Sequence, residues 1–348
     1  MREKLRLLPT GIGSLPHSNP EEAVRLVFSK LPEIPFWPQL PKRSPRENMY
    51  AQYSSNLPCA QWDKENGKLW FEVGDNVSSE LAKFYEYVLA DELDRFALTI
   101  EEASGFYTFL ELAPKLMSDK TVAIKGQITG PISFGLAVPD QNKKAIIYHD
   151  ELFDAAVDGL IIKARWQIKR LAELNKPVIF FIDEPYLVSI GSSFTNLDPK
   201  RVKECLNKVV EAAKNEGAIV GTHCCANTDW SLLLELPIDI LNLDAFEYFD
   251  NLLLYKKQLG DYFARGGIVA LGVIPTNERI FELNDEILAD KAAAEIVELA
   301  KISKNNVSNQ IMITPACGLG STTKKVAARA LELTRKTAIR LKQGPLKA

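Results

Sequence analysis

Residues 199–228 read PKRVKECLNKVVEAAKNEGAIVGTHCCANT. A helical pattern over 199–215 passes through a short polar turn into the apolar run 218–223, and the run ends in His223-Cys224-Cys225. Helix, turn and short apolar strand in that order are half of a βα repeat, the unit from which parallel sheets are built. Three borderline or soft metal ligands at consecutive positions mark this strand end as a place for chemistry.

The same pattern recurs outward in both directions. Eight short apolar or β-branched runs occupy residues 7–14, 34–40, 122–129, 177–183, 218–223, 238–244, 268–274 and 310–315. Helical patterns lie among them at 150–174, 199–215, 286–304 and 322–342; in the last, Val326, Ala330, Leu333 and Ala338 share a stripe. Eight such strands predict an α/β fold, a closed (β/α)8 TIM barrel, with a doubly wound open sheet as the alternative. The second and third runs are separated by about eighty positions, far more than a βα loop requires. An insertion between strands 2 and 3 is therefore expected at about 41–120, with a helix near 78–95; it is expected to cap the barrel mouth, with a small hairpin around 69–73 as the alternative. With no linker-like stretch, residues 1–348 are expected to form one barrel domain.

Composition narrows the function class. The chain has 348 residues, 46% hydrophobic and 25% charged, enough for a sizeable core. A formal net charge of -3 supplies no basic field, which excludes nucleic acid and an anionic membrane as expected partners. The first nine residues lack the apolar run of a signal peptide, and no segment approaches a membrane span, so a cytoplasmic enzyme is expected. Five cysteines, two of them adjacent, make a poor disulfide framework; Cys59 and Cys205 read as structural.

In an eight-stranded barrel the chemistry sits at the C-terminal strand ends. There the sequence places Gly11-Ile12-Gly13-Ser14, Asp183-Glu184, His223-Cys224-Cys225, Asp244 and, beyond the last strand, Cys317. Strand alternation turns His223 and Cys225 to one face and Cys224 to the other. A buried histidine beside a small core cysteine is the plain alternative, and the arrival of Cys317 from another strand weighs against it. Asp244 is a candidate fourth ligand, with Glu247 as substitute, or else a helix cap. Asp183 and Glu184 suit a substrate ammonium, an acid–base pair, or the capping of the next helix. His17 could line the pocket, whereas His149 reads as solvent-facing.

Five motifs stand in order: Thr10-Gly11-Ile12-Gly13-Ser14-Leu15-Pro16, Lys125-Gly126-Gln127-Ile128-Thr129-Gly130-Pro131, Ile182-Asp183-Glu184-Pro185, Thr222-His223-Cys224-Cys225 and Pro315-Ala316-Cys317-Gly318-Leu319. Together they resemble the catalytic C-terminal barrel of cobalamin-independent methionine synthase, within a wider group that also holds uroporphyrinogen decarboxylase and the coenzyme M methyltransferases. The resemblance implies a zinc-dependent methyltransferase of methionine biosynthesis that methylates the homocysteine thiol. It implies zinc on His223, Cys225 and Cys317, with Asp244 where the synthases place a glutamate. It also implies Asp183 on the homocysteine amino group and the stretch Ile12, Gly13, Ser14 on its carboxylate.

Two departures bear on the methyl donor. The full-length synthases add an N-terminal half that helps bind folate, which a chain of one barrel's length is not expected to contain. They also carry a histidine after strand seven, where this chain reads Leu271-Gly272-Val273-Ile274-Pro275-Thr276. A donor whose leaving group needs no proton is therefore expected, namely methylcobalamin or the methyl-corrinoid of a corrinoid protein. A coenzyme M type thiol methyltransferase and a uroporphyrinogen decarboxylase-like enzyme are the rival readings. The latter needs an arginine-rich pocket, of which Arg43 and Arg46 are a thin version. A barrel that binds a thiol or corrinoid without turnover is the non-enzymatic alternative.

Overall fold

A computed structural model describes residues 2–191, 195–303 and 307–344. Its strands are β1 Ala60–Asp63, β2 Lys68–Phe71, β3 Ile124–Thr129, β4 Val178–Asp183, β5 Ile219–Cys224, β6 Ile240–Leu243, β7 Ile268–Ile274 and β8 Ile311–Pro315. The helices are α1 Pro20–Lys30, α2 Val77–Leu89, α3 Ser104–Leu116, α4 Pro131–Ala137, α5 Asp150–Ala172, α6 Pro199–Asn215, α7 Ser231–Leu234, α8 Ala245–Leu252, α9 Lys256–Ala264, α10 Asp285–Ala300 and α11 Lys324–Gln343. Lys304, the end of the expected 286–304 helix, lies outside the described residues. No helix among the described residues is long and apolar enough to cross a membrane.

Strands β3 to β8 form one six-stranded sheet in sequence order, every pair parallel. Helices follow the strands, and the strands are buried along almost their whole length, as a parallel sheet covered on both faces requires. The 199–223 unit shows how the sequence builds this. Asp198 caps α6 by accepting the Lys200 N–H at 2.9 Å, and Pro199 takes the first helical position, where no N–H is needed. Val202, Cys205, Leu206, Val209, Val210 and Ala213 recur at helical spacing and are buried. Gly217, at φ 83, then turns the chain into β5.

The expected strands at 7–14 and 34–40 differ from prediction: among the described residues they make isolated bridges, not ladders. Leu7 and Thr10 donate to the carbonyls of Ile311 and Ile313 on β8, at 2.7 and 3.1 Å. On the other edge, Trp37 donates to Lys125 O at 3.2 Å and Lys125 N to Pro35 O at 2.9 Å, while Leu15 N and Gln39 O join the two segments at 2.8 Å. The physical reason is donor loss, because Pro9, Pro35 and Pro38 interrupt these segments and a proline contributes no ladder N–H.

Within the expected insertion, β1 and β2 form an antiparallel hairpin, so the hairpin reading of this region holds. Helix α2 follows, and α3 packs on α1 through stacked Phe28 and Phe109, 5.3 Å apart. Within the insertion Arg46 bonds to Glu102 at 2.6 Å, and the buried Tyr53 hydroxyl ties it to the sheet by donating to Gln127 O of β3 at 2.9 Å.

Two apolar clusters divide along the strand alternation. Ile179 and Phe181 of β4, Ile240 of β6, Ala270 of β7 and Met312 of β8 share one cluster with Leu8, Ile34 and Ala123. The intervening residues, such as Phe180, Ile182, Leu241 and Ile313, pack into the larger cluster with the helices. Two steps further along the inner face come Asp183, Asn242 and Thr314. The polar site thus continues the inner apolar face toward the C-terminal strand ends.

Candidate metal centre and substrate cavity

His223, Cys225 and Cys317 each turn one ligand atom to a common point, with all three atoms within 4.8 Å of one another. His223 is on β5 and buried; Cys225 immediately follows β5, and Cys317 follows β8. Cys317 donates a hydrogen bond to Cys225, which with the His223 contact holds the Cys225 thiol well below its ordinary range and pushes the Cys317 thiol up. Burial presses the His223 pKa down, but the Cys225 sulfur, Asp183 and Asn242 carry it above its ordinary value. Two sulfurs and an imidazole are the donor set of zinc, with bonds of about 2.0–2.3 Å and a fourth position left open in catalytic sites. The residues present fit that ion.

Cys224 points away, as alternation requires. It is fully buried, its thiol pushed up to about 12 by desolvation, and its sulfur donates to Ala226 O. Cys59 and Cys205 are buried too, and all five cysteines are unpaired.

The cluster forms part of the wall of a cavity of about 440 Å³ that Ile12, Ser14, Asp183 and Pro185 also line. Gln39, Pro41, Glu47, Asn48 and Met49 line it as well, so the start of the insertion contributes to its wall. Asp183 is buried, and its Oδ1 has no hydrogen-bond partner. Desolvation raises its pKa to about 6, against the pull of His223 and Lys125. Lys125, fully buried, donates to the Ile12 carbonyl and sits 4.3 Å over the Phe181 ring. Burial lowers its pKa to about 8, opposed by Asp183.

Other expected residues are placed elsewhere. Glu184 is fully buried outside the cavity and accepts from Ile132 N at 3.0 Å, Ser133 N at 2.8 Å and Ser133 Oγ at 2.6 Å. It occupies the N-terminus of α4, where free N–H groups and the helix dipole favour a carboxylate, although burial raises its pKa to about 7. Asp244 lies outside the three-residue cluster and caps α8, accepting Glu247 N at 3.0 Å, with its pKa raised by desolvation to about 6. Glu247 pairs with Arg279 at 3.0 Å. Gly13 does not line the cavity; a Cβ there would lie 2.7 Å from Gln127 Cδ. His17 is buried beside Glu22, and His149 pairs with Asp140 at 3.0 Å.

Sequence reasoning missed Asn242. Its Oδ1 lies 2.5 Å from His223 Nδ1, and its Nδ2 donates to Ala270 O at 2.8 Å and Thr314 Oγ1 at 2.7 Å. The available signal was the inward alternation of β6 two residues before Asp244.

No protein-family model matches the chain, and no curated protein does. Solved structures do. A B12-independent methionine synthase from a Shewanella species, solved in complex with selenomethionine, is similar over 97% of this chain and 98% of its own, with a TM-score of 0.53 at 17% identity. That likeness shows a shared fold. A D-psicose 3-epimerase from Clostridium cellulolyticum (TM-score 0.39, 12% identity, 76% of this chain and 94% of its own) also matches. So does a catalytic module of the pneumococcal exo-beta-D-N-acetylglucosaminidase (0.44, 12%, 97% and 85%).

Proposed function

We propose that this chain is a zinc-dependent methyltransferase that moves a methyl group to the thiol of homocysteine, giving methionine, with a methyl-corrinoid as donor. The observation that carries the reading is the convergence of His223, Cys225 and Cys317 on the cavity wall beside an unpartnered Asp183 oxygen. The scaffold in this reading is a (β/α)8 barrel whose first two members are the bridged segments 7–14 and 34–40. Their hydrogen bonds to β8, to β3 and to each other support it. The shared fold of a B12-independent methionine synthase agrees with it.

Zinc bound at His223, Cys225 and Cys317 supplies the means to keep a substrate thiol ionised at neutral pH, where a free thiol with pKa about 8.5 is mostly protonated. Asp183 binds the homocysteine ammonium, filling the acceptor its own surroundings leave unused. Ile12 and Ser14 form the wall that receives the carboxylate. Lys125 fixes that wall by holding the Ile12 carbonyl from below. So oriented, the sulfur attacks the methyl carbon in line, and the donor keeps the electron pair of the broken bond.

Two observations favour a corrinoid donor. The sequence has three histidines; His223 is in the cluster and the other two are engaged with Glu22 and Asp140, so none is placed to protonate a folate nitrogen. A cavity of about 440 Å³ suits an amino acid, and a corrinoid macrocycle would offer its methyl at the mouth. The five unpaired cysteines suit a reducing compartment such as the cytoplasm.

The test incubates zinc-loaded protein with homocysteine and either methylcobalamin or methyl-tetrahydrofolate. Methionine is expected from methylcobalamin. Product from folate alone overturns the donor assignment, and no product from either, with zinc fully bound, overturns homocysteine as the acceptor.

A further inference from the structure

Asn242 lies at the middle of β6, fully buried, with His223 of β5 as its register partner on one side and Ala270 of β7 on the other. Its amide spans three strands beyond its own. The Nδ2 group donates to Ala270 O at 2.8 Å and Thr314 Oγ1 at 2.7 Å, and Oδ1 meets His223 Nδ1 at 2.5 Å.

This network fixes protons that are not otherwise visible. The Ala270 carbonyl can only accept, so the amide must turn its NH2 toward β7 and its oxygen toward the imidazole. An amide oxygen can only accept as well, so the hydrogen between Asn242 and His223 belongs to Nδ1. A neutral imidazole has one N–H. In the neutral ring, the form that ligates a metal, Nε2 therefore keeps its lone pair, and it is the ring nitrogen left to face Cys225 and Cys317.

We propose that Asn242 is a positioning residue that holds His223 in the Nδ1–H tautomer and so presents the Nε2 lone pair to the metal cluster. The proposal rests on the metal-centre reading above. Asparagine suits this task better than its neighbours in chemistry. An aspartate would set a second oxygen against Ala270 O, a serine is too short to span from β6 to both the ring and β7, and a leucine would leave Nδ1 without a partner in a dry interior.

The test reads the tautomer in metal-free protein, by long-range ¹H–¹⁵N correlation on ¹⁵N-histidine-labelled samples, followed upward in pH until the ring is neutral. His223 in wild type is expected to carry its proton on Nδ1, and Asn242→Leu to lose that preference. Zinc affinity, measured by competition with a chromophoric chelator, is expected to fall 10- to 100-fold in Asn242→Leu. Should that variant fail to fold, Asn242→Ser serves the same comparison. Wild-type His223 protonated on Nε2 overturns the proposal with no variant needed, as does a tautomer unmoved in both variants. If the tautomer behaves as expected but wild type binds no zinc, Asn242 keeps its role in orienting the ring and the metal reading fails alone.

Discussion

The two sides of the cavity are built differently. His223 lies on β5, Cys225 directly follows that strand and Cys317 comes two residues past β8, so the three stand at the ends of strands of a continuous parallel ladder, and Asn242 braces His223 from the next strand. Ile12, Ser14 and Gln39 come from segments held by isolated bridges, and Pro41 and Met49 from the insertion. A metal centre tolerates errors of only about 0.5 Å, and a ladder with locked rotamers provides that. In the proposed function the other wall receives a flexible amino acid, which needs shape and exposed backbone groups, and a proline- and glycine-broken segment supplies them. Substitutions on the two sides should therefore fail in different ways.

The largest effect is expected from Cys317→Ser or Cys225→Ser. Either should lower zinc to well below one ion per chain, by elemental analysis, and reduce methyl transfer by at least about 1,000-fold, since in the proposed function each removes a ligand to the thiol-activating ion. Cys224→Ser, one residue away but facing the helices, should keep both zinc and activity. Zinc loss in Cys224→Ser to the level of the other two would erase the distinction between faces of β5.

Much of this ladder side is legible in the sequence. The six sheet strands are buried and mostly apolar, β3 with its Lys125 and Gln127 being the most polar of them, and alternation along β5 and past its end separates Cys225 from Cys224 without any coordinates. The bridged side is legible only as extended chain, because 7–14 and 34–40 read as apolar runs while Pro9, Pro35 and Pro38 within them remove ladder donors. Asp183 and Glu184 show a second limit. Side by side they read as a pair, yet one faces the cavity and the other neutralises the start of α4, an assignment that needs the position of a helix from 50 residues upstream. Asn242 was hidden for a similar reason: a polar residue in an apolar strand acquires meaning only from the register of β5 against β6.

Asp183→Asn ranks next and tests the junction of the two sides. It should cut kcat/KM for homocysteine by about 100-fold, the loss of a charged hydrogen bond of about 3 kcal/mol, while zinc stays bound. The same residue sets a pH dependence. Its folded pKa of about 6 lies above the unfolded carboxylate value, so homocysteine binding should weaken as pH falls through about 6. For stability the sign runs the other way. A raised carboxyl pKa favours the native state at low pH, and that contribution is lost as pH rises from about 4 through about 6, at a cost of about 3 kcal/mol. Metal-free Asp183→Asn should consequently melt several degrees higher than wild type at pH 7 and no higher at pH 4. Equal melting at both values would show that the Asp183 charge is compensated, contrary to its unpartnered oxygen.

The smallest effect is expected from Ser14→Ala, on the bridged side. Ser14 Oγ accepts the Gly320 N–H at 3.1 Å, and its carbonyl accepts Leu319 N at 3.0 Å, so it joins the first segment to the loop that carries Cys317. The alanine keeps the backbone bond and loses only the hydroxyl, at about 1 kcal/mol, much of it recoverable by water because Gly320 lines the cavity. KM for homocysteine should rise about fivefold, with kcat and zinc content unchanged. The cobalt-substituted protein reports the metal geometry directly, and its absorption spectrum should match wild type. A changed cobalt spectrum in Ser14→Ala would mean that the bridged segment also sets the position of Cys317, and the two sides of the cavity would then have to be treated as one rigid unit.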